Sequence, residues 1–124
     1  MSAENIQLII TLSDSQLEDR QLQTDTENMR QEIEKFDGVQ KAELMPIEIA
    51  QPGAKSIGGF LVGVLTTEIN AKNFKALVRY LGNNLYSKTI KIKAKGNGRE
   101  IDIEISRLED LNKVLTYVWF FCTS

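Results

Sequence analysis

Histidine is absent from this chain, which removes the commonest general base, the commonest metal ligand and every histidine-based nucleophile triad. Cys122 is the one cysteine, and a thiol with no histidine to activate it reads as inert. Glu48 and Glu68 have the right type for acid chemistry, and Tyr80 or Tyr86 for proton donation, but none has a partner at a telling spacing. A lone acid on a helix reads as solvated. One cysteine and no histidine leave no ligand cluster for a transition metal. No catalytic residue, cofactor site or metal site is therefore assigned.

Three stretches invite a sharper reading. Gly53-Ala54-Lys55-Ser56 has the lysine and hydroxyl of a phosphate-binding loop, yet Ala54 takes a glycine position and Ile49 stands where the first glycine belongs. Without that spacing the nest of amides does not form, and Ser56 reads instead as the cap of a helix beginning at Ile57. Gly59 and Gly63 have the spacing that lets helices touch, but the apolar run 57–65 is about half of the roughly 20 residues that span a bilayer. Tight packing on a sheet or a second copy is the expectation, with membrane perturbation as the alternative. Lys88, Lys91, Lys93, Lys95 and Arg99 make a basic stripe, but no aromatic alternates with them to stack bases, so cross-strand pairing with acids is expected.

The length of 124 residues suits a single domain, 1–124, with enough chain for a core. Fifteen basic and 17 acidic side chains give a net charge of −2, which predicts no general affinity for nucleic acid or an anionic membrane. The lone cysteine excludes an internal disulfide and fits a reducing cytoplasm. MSAENIQ lacks the pattern of a secretory signal.

The elements follow from periodicity. Ile6, Leu8, Ile10 and Leu12 recur at a period of two and predict a strand. Residues 13–23 read as a surface connection, after which Thr24 and Glu27, at capping-box spacing, open a helix to about Phe36 that buries Met29, Ile33 and Phe36. Val39 to Met45 reads as a short strand ending at or lying near a sheet edge because of Pro46, and Pro46 to Ala54 as a loop. The stretch 52–82 is the organising segment: two helical pieces or one bent helix, with a break at Asn70 preferred. Its glycines, Gly53, Gly58, Gly59 and Gly63, each cost about 1 kcal/mol inside a helix, so close approach of another backbone is expected at Gly59 and Gly63.

Thr89 to Lys95 and Arg99 to Ile105 alternate strictly around Asn97-Gly98, the strongest two-residue hairpin signal. That loop sets Ala94, Ile92 and Ile90 against Ile101, Ile103 and Ile105, and Lys95, Lys93 and Lys91 against Glu100, Asp102 and Glu104. A slip of one residue would oppose isoleucine to charge throughout. Ser106 and Glu109 again have capping-box spacing, before a helix burying Leu108, Leu111, Val114, Leu115 and Val118. Trp119, Phe120 and Phe121 cannot all face one side of that helix, so at least one is expected to be exposed. The result is an α+β two-layer sandwich, ordered β-α-β-α(α)-β-β-α, with a mainly antiparallel sheet and a C-terminal β-hairpin.

This order resembles the effector-associated constant component proteins of prokaryotic conflict systems, small domains encoded beside caspase-like or trypsin-like peptidases and nucleotide-dependent switch proteins. The resemblance spans Ile6 to Leu115 and rests on Phe36-Asp37-Gly38-Val39, Pro52-Gly53-Ala54 before Ile57-Gly58-Gly59, Leu77-Val78-Arg79-Tyr80-Leu81, and Asn97-Gly98-Arg99-Glu100. These motifs are structural, and the family carries over no catalytic residue. The aromatic ending departs from the polar finish the family leads one to expect. What the resemblance implies is a non-enzymatic adaptor or regulatory module in bacterial defence or signalling, partnered by an effector peptidase, a switch protein or a second copy. The contact surface expected from these residues is Gly58, Gly59, Phe60 and Gly63 with Trp119, Phe120 and Phe121.

Overall fold

The computed structural model describes residues 5–47, 55–85, 88–96 and 98–122. Among these residues six antiparallel strands form one sheet: β1 (Asn5–Ser13), β2 (Val39–Pro46), β3 (Ser56–Ile57), β4 (Phe60–Asn70), β5 (Thr89–Gly96) and β6 (Arg99–Ile105). The spatial order is β2-β4-β1-β5-β6, with the short β3 paired to the start of β4. Three α-helices of the described residues, α1 (Asp19–Glu34), α2 (Ala71–Asn83) and α3 (Leu111–Cys122), cover one face. α1 lies over β2 and β4, α3 over β6, and α2 packs on α3, β4 and β1. The α+β two-layer sandwich with a C-terminal hairpin is the architecture expected from periodicity.

The core lies between these layers. Ile6, Leu8, Ile10 and Leu12 from β1 meet Leu65 and Ile69 from β4 and Ile90, Ile92 and Ala94 from β5, under Phe74, Leu77, Val78 and Leu81 of α2. Alternation places the other side chains of these strands on an open face, where Lys91, Lys93 and Lys95 stand with Glu100, Asp102 and Glu104. The β5–β6 register pairs all six predicted couples, from Ile90 with Ile105 to Lys95 with Glu100. Asn97 lies outside the described residues. Pro46 ends β2, which is an outermost strand of the sheet, as a residue without an amide donor requires.

Residues 57–65 differ in kind from the expectation: they are not helical. Ser56 opens β3 and caps no helix, Gly58 and Gly59 form the turn, and β4 runs from Phe60 with Gly63, Leu65, Thr67 and Ile69 alternately buried. A short apolar run fits a buried strand as well as a helix, and here the two turn glycines and the β-branched Val62, Val64, Thr66, Thr67 and Ile69 tip the choice. The break at Asn70 is real, and its Oδ1 accepts the Lys72 amide at 2.8 Å to cap α2.

Two helix starts also move. α1 begins at Asp19, inside the stretch read as a surface connection, so Thr24 is helical and donates to the Arg20 carbonyl at 3.0 Å. Buried Leu22, Gln23 and Thr26 extend its inner face beyond Ile33, while Met29 and Phe36 are half-buried. The last helix is preceded by a 3-10 turn, Leu108–Asp110, in which the Asp110 carboxylate accepts the amides of Ser106 at 3.3 Å and Arg107 at 3.2 Å. Leu108 consequently points to solvent, not into the core. No helix among the described residues is long and apolar enough to cross a membrane.

Candidate functional site

Burial on α3 follows its 3.6-residue period: Leu111, Val114, Leu115, Val118 and Phe121 face inward. Phe121 is therefore core, 3% exposed, with its ring edge-on to Phe74 at 6.0 Å between centroids, and it meets the surface only as part of the lining of a groove beside β6. Trp119 and Phe120 fall on the outer side and are 50% and 60% exposed. Their rings meet edge to face at 5.2 Å. Tyr117, three residues before Phe120 and so on the same helix face, is exposed to a similar degree. Sequence reasoning missed Tyr117, although its i, i+3 spacing to Phe120 was the available signal.

Phe120 and Tyr117 do not stand alone. With Phe121 they line a groove whose other side is β6, from Arg99 to Ile103. Arg99 Nη1 donates to the Phe120 carbonyl at 3.4 Å and ties the helix end to the strand start. Among the described residues β6 is the outermost strand on this side of the sheet, so the groove runs along a strand edge that none of them pairs with. A solvated row of aromatics beside such an edge has the composition of a protein-binding surface: large rings, an arginine and charged side chains.

The glycine-rich segment lies elsewhere and divides in two. Gly58 and Gly59 are exposed at the β3–β4 turn with φ of 60° and 85°, and Phe60, 37% exposed, follows them. Gly63 is buried with φ of 79°, and a Cβ there would lie 2.6 Å from the Leu12 carbonyl oxygen. Its amide donates to Gln23 Oε1 at 2.8 Å. The expected close backbone approach thus exists at Gly63 and is absent at Gly59, where a Cβ would meet nothing within 4 Å. Gly63 serves the packing of α1, β1 and β4, and only the turn and Phe60 reach the surface.

The remaining polar candidates are structural in their contacts. Lys88 leaves the basic stripe: its side chain is buried and pairs with Asp25 of α1 at 3.1 Å. Lys91 approaches Glu104 at 3.9 Å on the open face. Lys55 is exposed and lies 3.7 Å from Asp19. Pro52, Gly53, Ala54, Glu48 and Tyr86 lie outside the described residues. Glu68 accepts from Asn5 Nδ2 at 2.9 Å on the sheet. Arg30 grips Glu27 with two nitrogens at 2.8 Å each, reaches Glu34 at 2.7 Å, and donates to the Ala42 carbonyl at 3.3 Å, fastening α1 to β2. The guanidinium's hydrogen bonds hold the Glu27 carboxyl below its ordinary range, against the opposing effect of burial. Among the described residues, no group of three acidic or cysteine side chains is placed to hold a metal ion.

No protein-family model matches this chain and no curated protein matches it, so a functional reading rests on the groove between α3 and β6.

Proposed function

We propose that this chain is a non-enzymatic protein-interaction module, an adaptor or regulatory component of a bacterial conflict or signalling system that acts with a caspase-like or trypsin-like effector peptidase. The observation that carries the interaction reading is the solvated aromatic cluster of Tyr117, Trp119 and Phe120, of which Tyr117 and Phe120 line the groove beside β6, the outermost strand among the described residues, and Trp119 packs on Phe120. A helix gains nothing for folding by facing three large rings outward, whereas a partner that covers them removes that area from water. The conflict-system setting comes from the resemblance in element order and structural motifs.

The test is co-expression with the products of the genes flanking its own, followed by co-purification. A stable complex with one of them is expected, weakened at least about tenfold by Trp119→Ser combined with Phe120→Ser, as loss of central aromatic anchors requires. Undiminished binding by a folded double variant would remove the aromatic cluster from the interface. Absence of a complex with every flanking product would overturn the reading.

A further inference from the structure

The free edge of β6 carries a charge pattern that restricts what can lie against it. Glu100, Asp102 and Glu104 project on the open face, and Ile101, Ile103 and Ile105 on the helix face. β6 pairs with β5 on one side, and among the described residues no strand pairs with it on the other. Its seven residues pair with β5 without a bulge, so the outer row of backbone donors and acceptors is straight enough to receive another strand. Tyr117 and Phe120 extend the apolar floor past Ile101 and Ile103.

A second copy is a poor match for this edge. Two β6 strands laid antiparallel would, in every register that keeps apolar residues opposite apolar ones, set Glu100, Asp102 and Glu104 opposite the same acids of the copy. Like charges directly opposite are destabilising, and a slip of one residue would oppose isoleucine to carboxylate. The inner edge of β6 shows the complementary chemistry. There Lys95, Lys93 and Lys91 stand opposite the three acids, while Ala94, Ile92 and Ile90 stand opposite the isoleucines.

We infer that the outer edge of β6 takes an extended segment of a partner protein in which lysine or arginine alternates with apolar residues, added to the sheet as a further strand. Its backbone pairs with β6, its cations face Glu100, Asp102 and Glu104, and its apolar side chains seat against Ile101, Ile103, Tyr117 and Phe120. This deepens the interaction-module reading and rests on it.

Fluorescence anisotropy on the full chain tests the inference with two labelled peptides, one copying residues 88–95 and one with glutamate at each lysine. The basic peptide is expected to bind saturably and the acidic one not to bind. Glu100→Gln, Asp102→Asn and Glu104→Gln together should weaken the basic peptide about tenfold and flatten its salt dependence. Phe120→Glu, at a solvated position outside the core, should weaken it at least as much, with circular dichroism confirming that each variant is folded. Should the triple variant fail to fold, Phe120→Glu alone decides. Equal binding of both peptides, or binding of neither, overturns strand addition. A wild-type dimer in sedimentation velocity that Phe120→Glu dissolves would assign the edge to a second copy and overturn it as well. If a flanking-gene complex needs Trp119 and Phe120 while neither peptide binds, the module reading survives and this inference fails.

Discussion

Arg30 and Glu27 show how a sequence pattern can be right about a residue's importance and wrong about its role. Glu27 has the spacing of a capping partner to Thr24, but α1 starts at Asp19, and the carboxylate instead takes two hydrogen bonds from Arg30, which also reaches the β2 carbonyl of Ala42. Because the folded state lowers the Glu27 pKa, this carboxylate stabilises the fold fully above its unfolded pKa. That contribution fades as pH falls through the lower, folded value. Glu27→Gln should cost about 0.5–1 kcal/mol near pH 7, the modest size reflecting a partly solvated pair. Urea titrations from pH 7 to pH 3 should show the gap between the two proteins closing below about pH 4. A gap independent of pH would mean that the Glu27 charge does not matter to stability.

At the scale of elements, the β3–β4 hairpin separates two glycine roles that look alike in sequence. Gly59 needs only its left-handed backbone, so Gly59→Ala should cost about 1 kcal/mol. Gly63 combines φ of 79° with the Leu12 carbonyl 2.6 Å from where a Cβ would stand, so Gly63→Ala should cost at least about 2 kcal/mol by forcing β1 and β4 apart. Chemical denaturation of the two variants measures the difference, and equal losses would refute the packing role of Gly63. A larger side chain at Gly63 would abolish binding by unfolding the sheet, so such a variant says nothing about an interface. The same hairpin explains the mistaken helix. Glycine's helical penalty was visible, but whether a backbone neighbour or a turn accounts for it depends on contacts with β1 and Gln23, 40 residues away in sequence.

For the molecule as a whole, strand order sets where stability is highest and where it is lowest. β1 pairs with β4 on one side and β5 on the other and lies under α2, whereas β6 has one neighbour among the described residues. Amides of Leu8 to Leu12 should exchange with solvent only by global unfolding, and part of those in β6 by local opening, at least about 100-fold sooner. Hydrogen exchange followed by NMR measures both, and uniform protection across the sheet would contradict an open β6 edge. Protection of β6 on adding the basic peptide would mark the same edge.

Local chemistry alone determined the β5–β6 register, the break at Asn70 and the first strand. In each of these, alternation, turn residues and side-chain hydrogen bonding act over a few neighbours and agree. It also required that Trp119, Phe120 and Phe121 part company around the helix. That Phe121 is the ring inside follows from its place three residues after Val118 on the buried helix stripe, where Phe74 of α2 meets it; only the order of strands left β6 at the margin with Tyr117 and Phe120 beside it. Strand order and helix placement arise from contacts between distant segments, and no short-range pattern encodes them.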